Sequence, residues 1–232
     1  MCSSDLVIGE TLGARQIEAP VGEEGGRHGG EDRAEPARHP PPSACAYPTP
    51  MPRIYTRTGD DGTTGRLYGG RISKADEATE AYGTTDEAVA ALGVARAHAQ
   101  GTPLAERLLE LQRELFVVGA ELAANPAERG RLQPGISLVT ASMVRRLESL
   151  IDDEVERRPL PTSFIVPGAD PVSASIDLAR SIVRRAERES IRLREAGGSV
   201  HDDLVRYLNR LSDLLFVLAR SAAGGAEPAS RG

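Results

Sequence analysis

Leucines spaced in steps of four and three dominate two long stretches of this chain, and such a stripe is buried by helices packed side by side. In the first stretch Leu104, Leu108, Leu111, Leu115, Val118 and Leu122 return to one face of a 3.6-residue helix; in the second, Leu204, Leu208, Leu211, Leu215 and Leu218 do the same. Thr102-Pro103 sets a cap and a first-turn proline before the first stripe. Ser199 and Asp202 are spaced as a capping box, with Asp in place of Glu, before the second, which ends towards Gly224-Gly225. Met143, Leu147, Leu150 and Ile151 predict a helix from about Thr140 to Arg157. Ile176, Ala179, Val183, Ala186, Ser190 and Leu193 predict another, opened by Asp170-Pro171 and closed at Gly197-Gly198. An alanine-rich helix from about Glu77 to Ala99, stopping before Gly101, completes the set. The expected fold class is all-α, a five-helix bundle with short connections. Aromatics at 3% and no Trp suit a core of Leu, Val, Ile and Ala better than a β-sandwich. Only Arg53 to Tyr55 and Ser163 to Val166 read as strand-like, the second running extended towards the fourth helix.

The ends of the chain differ from this middle. Residues 1–50, with GEEGGRHGGEDRAEPARHPPPSACAYPTP, are rich in Gly, Pro and charge and nearly free of large apolar side chains, so a disordered extension is expected there. Met51 stands directly before the first organised sequence, an alternative natural start. The bundle is expected over 51–224 and a flexible tail over 225–232. A net charge of −6 excludes a chain-wide basic surface for nucleic acid or anionic membrane, so any phosphate site is local. Both cysteines, Cys2 and Cys45, lie in the first fifty residues, which argues against a disulfide framework or a thiolate metal site in the bundle. With no apolar run of about 18 residues and no basic-then-apolar leader, a soluble, cytoplasmic protein is expected.

Three places carry polar chemistry. The segment TRTGDDGTTGRLYGG, residues 56–70, is dense in Gly and Thr and precedes a helix; its amides, hydroxyls and Arg57 suit a phosphate chain, and equally an ordinary surface loop. It is neither a Walker sequence nor a dinucleotide fingerprint. The fourth helix carries Arg180, Arg184, Glu187 and Arg188 on one face, a charge excess answered either by solvent with Glu187 as partner or by a triphosphate. Tyr207, Asn209, Arg210 and Asp213 interrupt the last leucine stripe and read by pattern as its wet side. Asp86 and Glu87 fall near the start of the first helix, where carboxylates favour the dipole. His28, His39, His98 and His201 lack ligand spacing, and no residue is assigned to a metal.

Taken together and in order, IYTRTGDDGTTG, Ser73-Lys74, EAYGTTDE at 80–87, FIVPG at 164–168, RRAER at 184–188 and YLNRLSDLLFVLAR at 207–220 resemble the PduO-type ATP:cob(I)alamin adenosyltransferases. The resemblance spans about Met51 to Ala223. It implies a ferritin-like, cobalamin adenosyltransferase-like bundle forming a homotrimer with sites between subunits. ATP is then held by Thr56, Arg57, Thr58, Gly59 and Thr64, by Lys74, by Arg184, Arg185, Glu187 and Arg188, and by Asn209. Asp86 is expected to pair with Arg180 across the interface at the cobalamin end. Phe164 resembles the aromatic that occupies the lower face of the corrin and drives off its lower ligand. The substrates implied are ATP, with Mg²⁺, and cobalamin; the partners implied are a reductase and an adenosylcobalamin-dependent enzyme. The chain departs from the family at Ala88-Val89, where DELN is common, and at Ala169, where PGG is common.

The implied reaction is in-line displacement, cob(I)alamin attacking the 5′-carbon of ATP as triphosphate leaves. A cobalamin carrier of the same fold would keep Phe164 but not the phosphate ligands, and a helical interaction bundle would need neither. Triphosphate release under reducing conditions separates the enzyme from both.

Overall fold

The computed structural model describes residues 55–224 and 227–231; the expected disordered extension lies outside the described residues, as do Arg53 and Ile54. Five α-helices follow a short hairpin: α1 (Glu77–His98), α2 (Pro103–Ala123), α3 (Ala141–Arg157), α4 (Pro171–Glu195) and α5 (Asp202–Ala222). Each boundary falls within a residue or two of its sequence expectation. The helices pack in the spatial order α2, α1, α4, α5, α3. Tyr207 on α5 donates to Glu114 on α2 at 2.8 Å, and Arg146 on α3 pairs with the same Glu114 at 2.8 Å, so the outer helices are also tied together.

The leucine stripes fill the centre. Leu108, Leu111 and Leu115 of α2 and Leu204, Leu208, Leu211 and Leu215 of α5 are fully buried in one cluster. Apart from Leu92, the buried positions of α1 are instead small: Ala81, Thr84, Thr85, Ala88 and Ala95 recur at helical spacing. At Gly93 an added Cβ would stand 3.2 Å from Gln112 Nε2, whose amide donates to the Val89 carbonyl at 2.9 Å. Tyr207 is a correction to the pattern reading: it is fully buried, with its hydroxyl on Glu114, and does not belong to the wet side.

Helix ends follow the capping rules in most places. Asp170 and Ser173 form a complete capping box on α4 with Pro171 in the first turn. Thr140 caps α3, its side chain accepting from the Met143 N–H. The box expected at Ser199 and Asp202 is not formed: α5 is capped by His201, which accepts from the Asp203 N–H. Arg129 takes the Ser199 carbonyl at 2.9 Å and Asp202 turns to Arg194 at 3.2 Å, so the chain stays extended past Ser199.

The hairpin was not anticipated. Thr63–Gly65 (β1) pairs antiparallel with Arg71–Ser73 (β2), Thr64 opposite Ile72. Of these residues only Ile72 is buried, too little apolar alternation to read from sequence. The loop joining the strands reaches the end of α2, where the Leu67 N–H donates to the Ala123 carbonyl and the Asn125 N–H to Leu67, each at 2.9 Å. Of the expected strand-like piece Ser163 to Val166, Ser163 lies in a bend and only Ile165 forms a bridge, to Ala229, so the residues expected as a flexible tail are paired from Pro228 to Ser230.

Candidate active site

The Gly-Thr loop is shaped by its own side chains. Asp61 Oδ1 accepts from the Thr63 N–H at 2.9 Å and from its hydroxyl at 2.7 Å. Those Thr63 bonds, with the Arg71 guanidinium beside them, hold the Asp61 carboxyl below the usual aspartate range despite a small opposing cost of desolvation. Arg71 reaches across from β2 to the Thr58 carbonyl and to Thr63 Oγ1. Lys74 Nζ donates to the Gly59 carbonyl at 2.7 Å, and an added Cβ at Gly59 would lie 3.1 Å from that Nζ. Arg57 holds φ at 63°, a left-handed conformation that non-glycine residues adopt at a cost and that concentrates at functional sites. Thr56, Arg57 and Thr58 are exposed; Thr64 is half-buried in β1.

On α4 the expected arginine face divides by partner. Arg180 pairs with Asp177 one turn earlier at 3.6 Å and lies over the Phe216 ring at 5.8 Å. Arg185 points away to an ion pair with Glu87 of α1, a brace between the two helices. Glu187, the carboxylate on the arginine face, accepts instead from Asn209 Nδ2 of α5 at 3.1 Å. Asn209 Oδ1 in turn accepts from Arg210 at 2.8 Å, and Arg210 pairs with Glu148 and Asp213. Arg184 and Arg188 are exposed and form no ion pair among the described residues; Arg188 donates to the Arg184 carbonyl at 2.9 Å.

Arg180 and Arg184 meet in a cleft of about 420 Å³ between α3, α4 and α5, lined also by Glu148, Arg210, Asp213 and Phe216. Asp213 reads in the sequence as the wet side of the last helix and Phe216 only as part of that helix, because nothing in a helical repeat tells which faces flank a cleft. The expected residues are not all joined: Lys74 is engaged with Gly59 and not with the α4 arginines, Asp86 is exposed on α1, and Arg180 takes its own chain's Asp177. Phe164 sits on the connection between α3 and α4 with 88% of its surface exposed, which removes the reading of it as a core aromatic.

The fold and site define a five-helix bundle with a cleft between α3, α4 and α5, two exposed α4 arginines without an ion pair among the described residues, and a Gly-Thr loop braced by Arg71 and Lys74. The chain belongs to the cobalamin adenosyltransferase family, whose model matches residues 54–222. It is 42% identical over 170 residues to a corrinoid adenosyltransferase of Citrobacter freundii, covering 73% of this chain and 94% of the relative. A corrinoid adenosyltransferase of Mycobacterium tuberculosis is 42% identical over 178 residues, 74% of this chain and 89% of the relative. A variant PduO-type ATP:corrinoid adenosyltransferase from Lactobacillus reuteri, solved with cobalamin and ATP, superposes with a TM-score of 0.71 at 30% identity, covering 78% of this chain and all of that one.

Proposed function

We propose that this protein transfers the 5′-deoxyadenosyl group of ATP to cob(I)alamin, giving adenosylcobalamin and triphosphate. Cobalt(I) supplies the electron pair of the new cobalt–carbon bond, the bond between the 5′-carbon and its phosphate oxygen breaks, and its pair leaves with triphosphate. No proton has to be removed, so the protein's part is to hold, orient and dehydrate.

The observation that carries the nucleotide side is the turn of Glu187 towards Asn209. It leaves Arg184 and Arg188 uncompensated on one face, and guanidiniums are well matched to phosphate oxygens. Asn209 and Glu187 line the same face, while Arg185 braces α4 against α1 through Glu87 and so fixes the direction of its neighbours. Thr56, Arg57, Thr58, Gly59, Thr64 and Lys74 supply the second half of the nucleotide site, with the charges of Arg57, Lys74, Arg184 and Arg188 opposing the charge that grows on triphosphate. Magnesium enters with ATP as part of the substrate.

We infer a homotrimer in which the loop of one subunit faces α4 and α5 of the next; this reading joins the two halves of the nucleotide site. Asp86 of one subunit would then draw Arg180 of its neighbour from Asp177. At the corrin end, the exposed ring of Phe164 fits a role that needs accessibility: an apolar side chain against the lower face of cobalt(II)cobalamin excludes its axial ligand. Without that donor the added electron enters an orbital of lower energy, and a reductase can deliver it. We place the reaction in the cytoplasm, where thiols stay reduced; none of the described helices is long and apolar enough to cross a membrane. The product serves an adenosylcobalamin-dependent enzyme.

The test is an anaerobic assay of the purified protein with preformed cob(I)alamin and MgATP. Adenosylcobalamin and triphosphate should appear in equal amounts. Binding of cobalamin without triphosphate release would indicate a carrier.

A further inference from the structure

The peptide after α5 folds back onto the segment that presents Phe164. The Val166 N–H donates to the Pro228 carbonyl and the Ser230 N–H donates to the Phe164 carbonyl, both at 2.8 Å, with Ile165 opposite Ala229. Because the Phe164 side chain is 88% exposed, its own packing does little to hold it, and these main-chain bonds set its direction. At the start of this return the Gly224 N–H donates to the Asp170 capping carboxylate at 3.1 Å.

The return is joined to a buried chain of alternating charges. Arg220 is 4% exposed; it bonds Asp177 through its terminal nitrogens, and its Nε stands 2.7 Å from Glu227 Oε2 as an ion pair without hydrogen-bond geometry. Asp177 also faces Arg180 at 3.6 Å, and both guanidiniums lie over the Phe216 ring. Within one chain the run Arg180, Asp177, Arg220, Glu227 is neutral, and Glu227 is its end nearest the return. Burying an ion pair adds little net stability, because desolvation offsets the attraction. The other Glu227 oxygen, Oε1, is moreover buried without a hydrogen-bond partner among the described residues. What the pair contributes is placement.

We propose that Glu227 is a positioning residue of the transfer reaction. Its ion pair with Arg220 anchors residues 228–230 against Phe164–Val166 and so fixes where the Phe164 ring meets the corrin. This rests on the reading of Phe164 given above. Glu227 pairs with none of the proposed phosphate ligands, so its effect belongs to the cobalamin end alone.

Glu227→Gln keeps the shape and removes the charge. In the full-length protein, amide hydrogen exchange at Val166 and Ser230 should quicken by up to about tenfold, as expected when the ion pair that anchors this local structure is lost. The four-coordinate cobalt(II) signal seen by electron paramagnetic resonance with MgATP should fall several-fold, while KM for ATP stays within about twofold. Added to Phe164→Ala, the same change should lower that signal no further. A chain ending at Gly224, which keeps all five helices, gives the Val166 exchange and the cobalt(II) signal should the Gln variant fold poorly. If Phe164→Ala abolishes the signal while both tail variants leave it and the Val166 exchange unchanged, the role of Glu227 is overturned. If Phe164→Ala itself leaves the signal intact, the reading of Phe164 has failed and the role of Glu227 falls with it.

Discussion

Phe164 and Arg184 owe their suitability for chemistry to what they lack in this chain. A large aromatic with 88% of its surface exposed brings no core packing, so Phe164→Ala should leave the melting temperature nearly unchanged, a change of about 0.5 kcal/mol or less. Its effect should appear in cobalt coordination, with a greater loss of turnover when cobalt(II) must be reduced in the assay than when cobalt(I) is supplied. A large drop in thermal stability would return Phe164 to a structural role. Arg184 likewise has no ion-pair partner among the described residues, so Arg184→Ala breaks no contact within the fold apart from side-chain packing. Losing a charge-assisted contact to a desolvated phosphate costs about 2–5 kcal/mol. At the lower end, kcat/KM for ATP should fall by about 30-fold. ATP affinity and turnover both unchanged in that variant would remove the phosphate assignment.

Among the helices, α4 has the most closely specified start, and the Asp170 cap ties that start to the end of α5 through Gly224. Partial burial opposes ionisation of Asp170, but bonds from the Ser173 and Gly224 amides, the Ser173 hydroxyl and the Val172 amide outweigh it and lower its pKa. A carboxyl whose pKa is lower in the folded than in the unfolded state stabilises above the unfolded value, and that contribution is lost as pH falls through the folded one. Asp170→Ala should therefore cost about 1 kcal/mol in urea unfolding at neutral pH. Its difference from the parent protein should shrink as pH is taken below about 4. A difference independent of pH would mean that Asp170 acts without its charge. The hairpin shows the opposite case, an element held by side chains more than by pattern: Arg71 and Lys74 reach back to the Thr58 and Gly59 carbonyls.

For the whole assembly, the proposal that the two halves of the nucleotide site come from different subunits has a direct test. Lys74→Ala and Arg184→Ala, each strongly impaired alone, should regain activity when unfolded and refolded together. A mixed trimer contains interfaces in which the intact Lys74 of one subunit faces the intact Arg184 of the next. Sedimentation should show one species at three times the chain mass. No recovery in mixed trimers would place the entire site within one chain.

Five helices and the Asp170-Pro171 start of α4 were legible from residue order, because burial along a helix repeats every 3.6 residues and a cap acts within one turn; Thr102, read as the cap of α2, instead turns its hydroxyl back to the Ala99 carbonyl. The family was legible as well, since six ordered segments carry it. Residue order could not tell that Tyr207 turns inward to Glu114, that His201 replaces Ser199 as a cap, or that Glu187 prefers Asn209 to its own helix's arginines. Nor did it show the return of residues 228–230 onto Phe164, or the pairing of Arg220 with both Asp177 and Glu227. The physical reason is common to all of these. Helical periodicity is a local energy and is written locally, whereas a polar side chain chooses among partners distant in sequence, and that choice exists only once packing has brought them within reach.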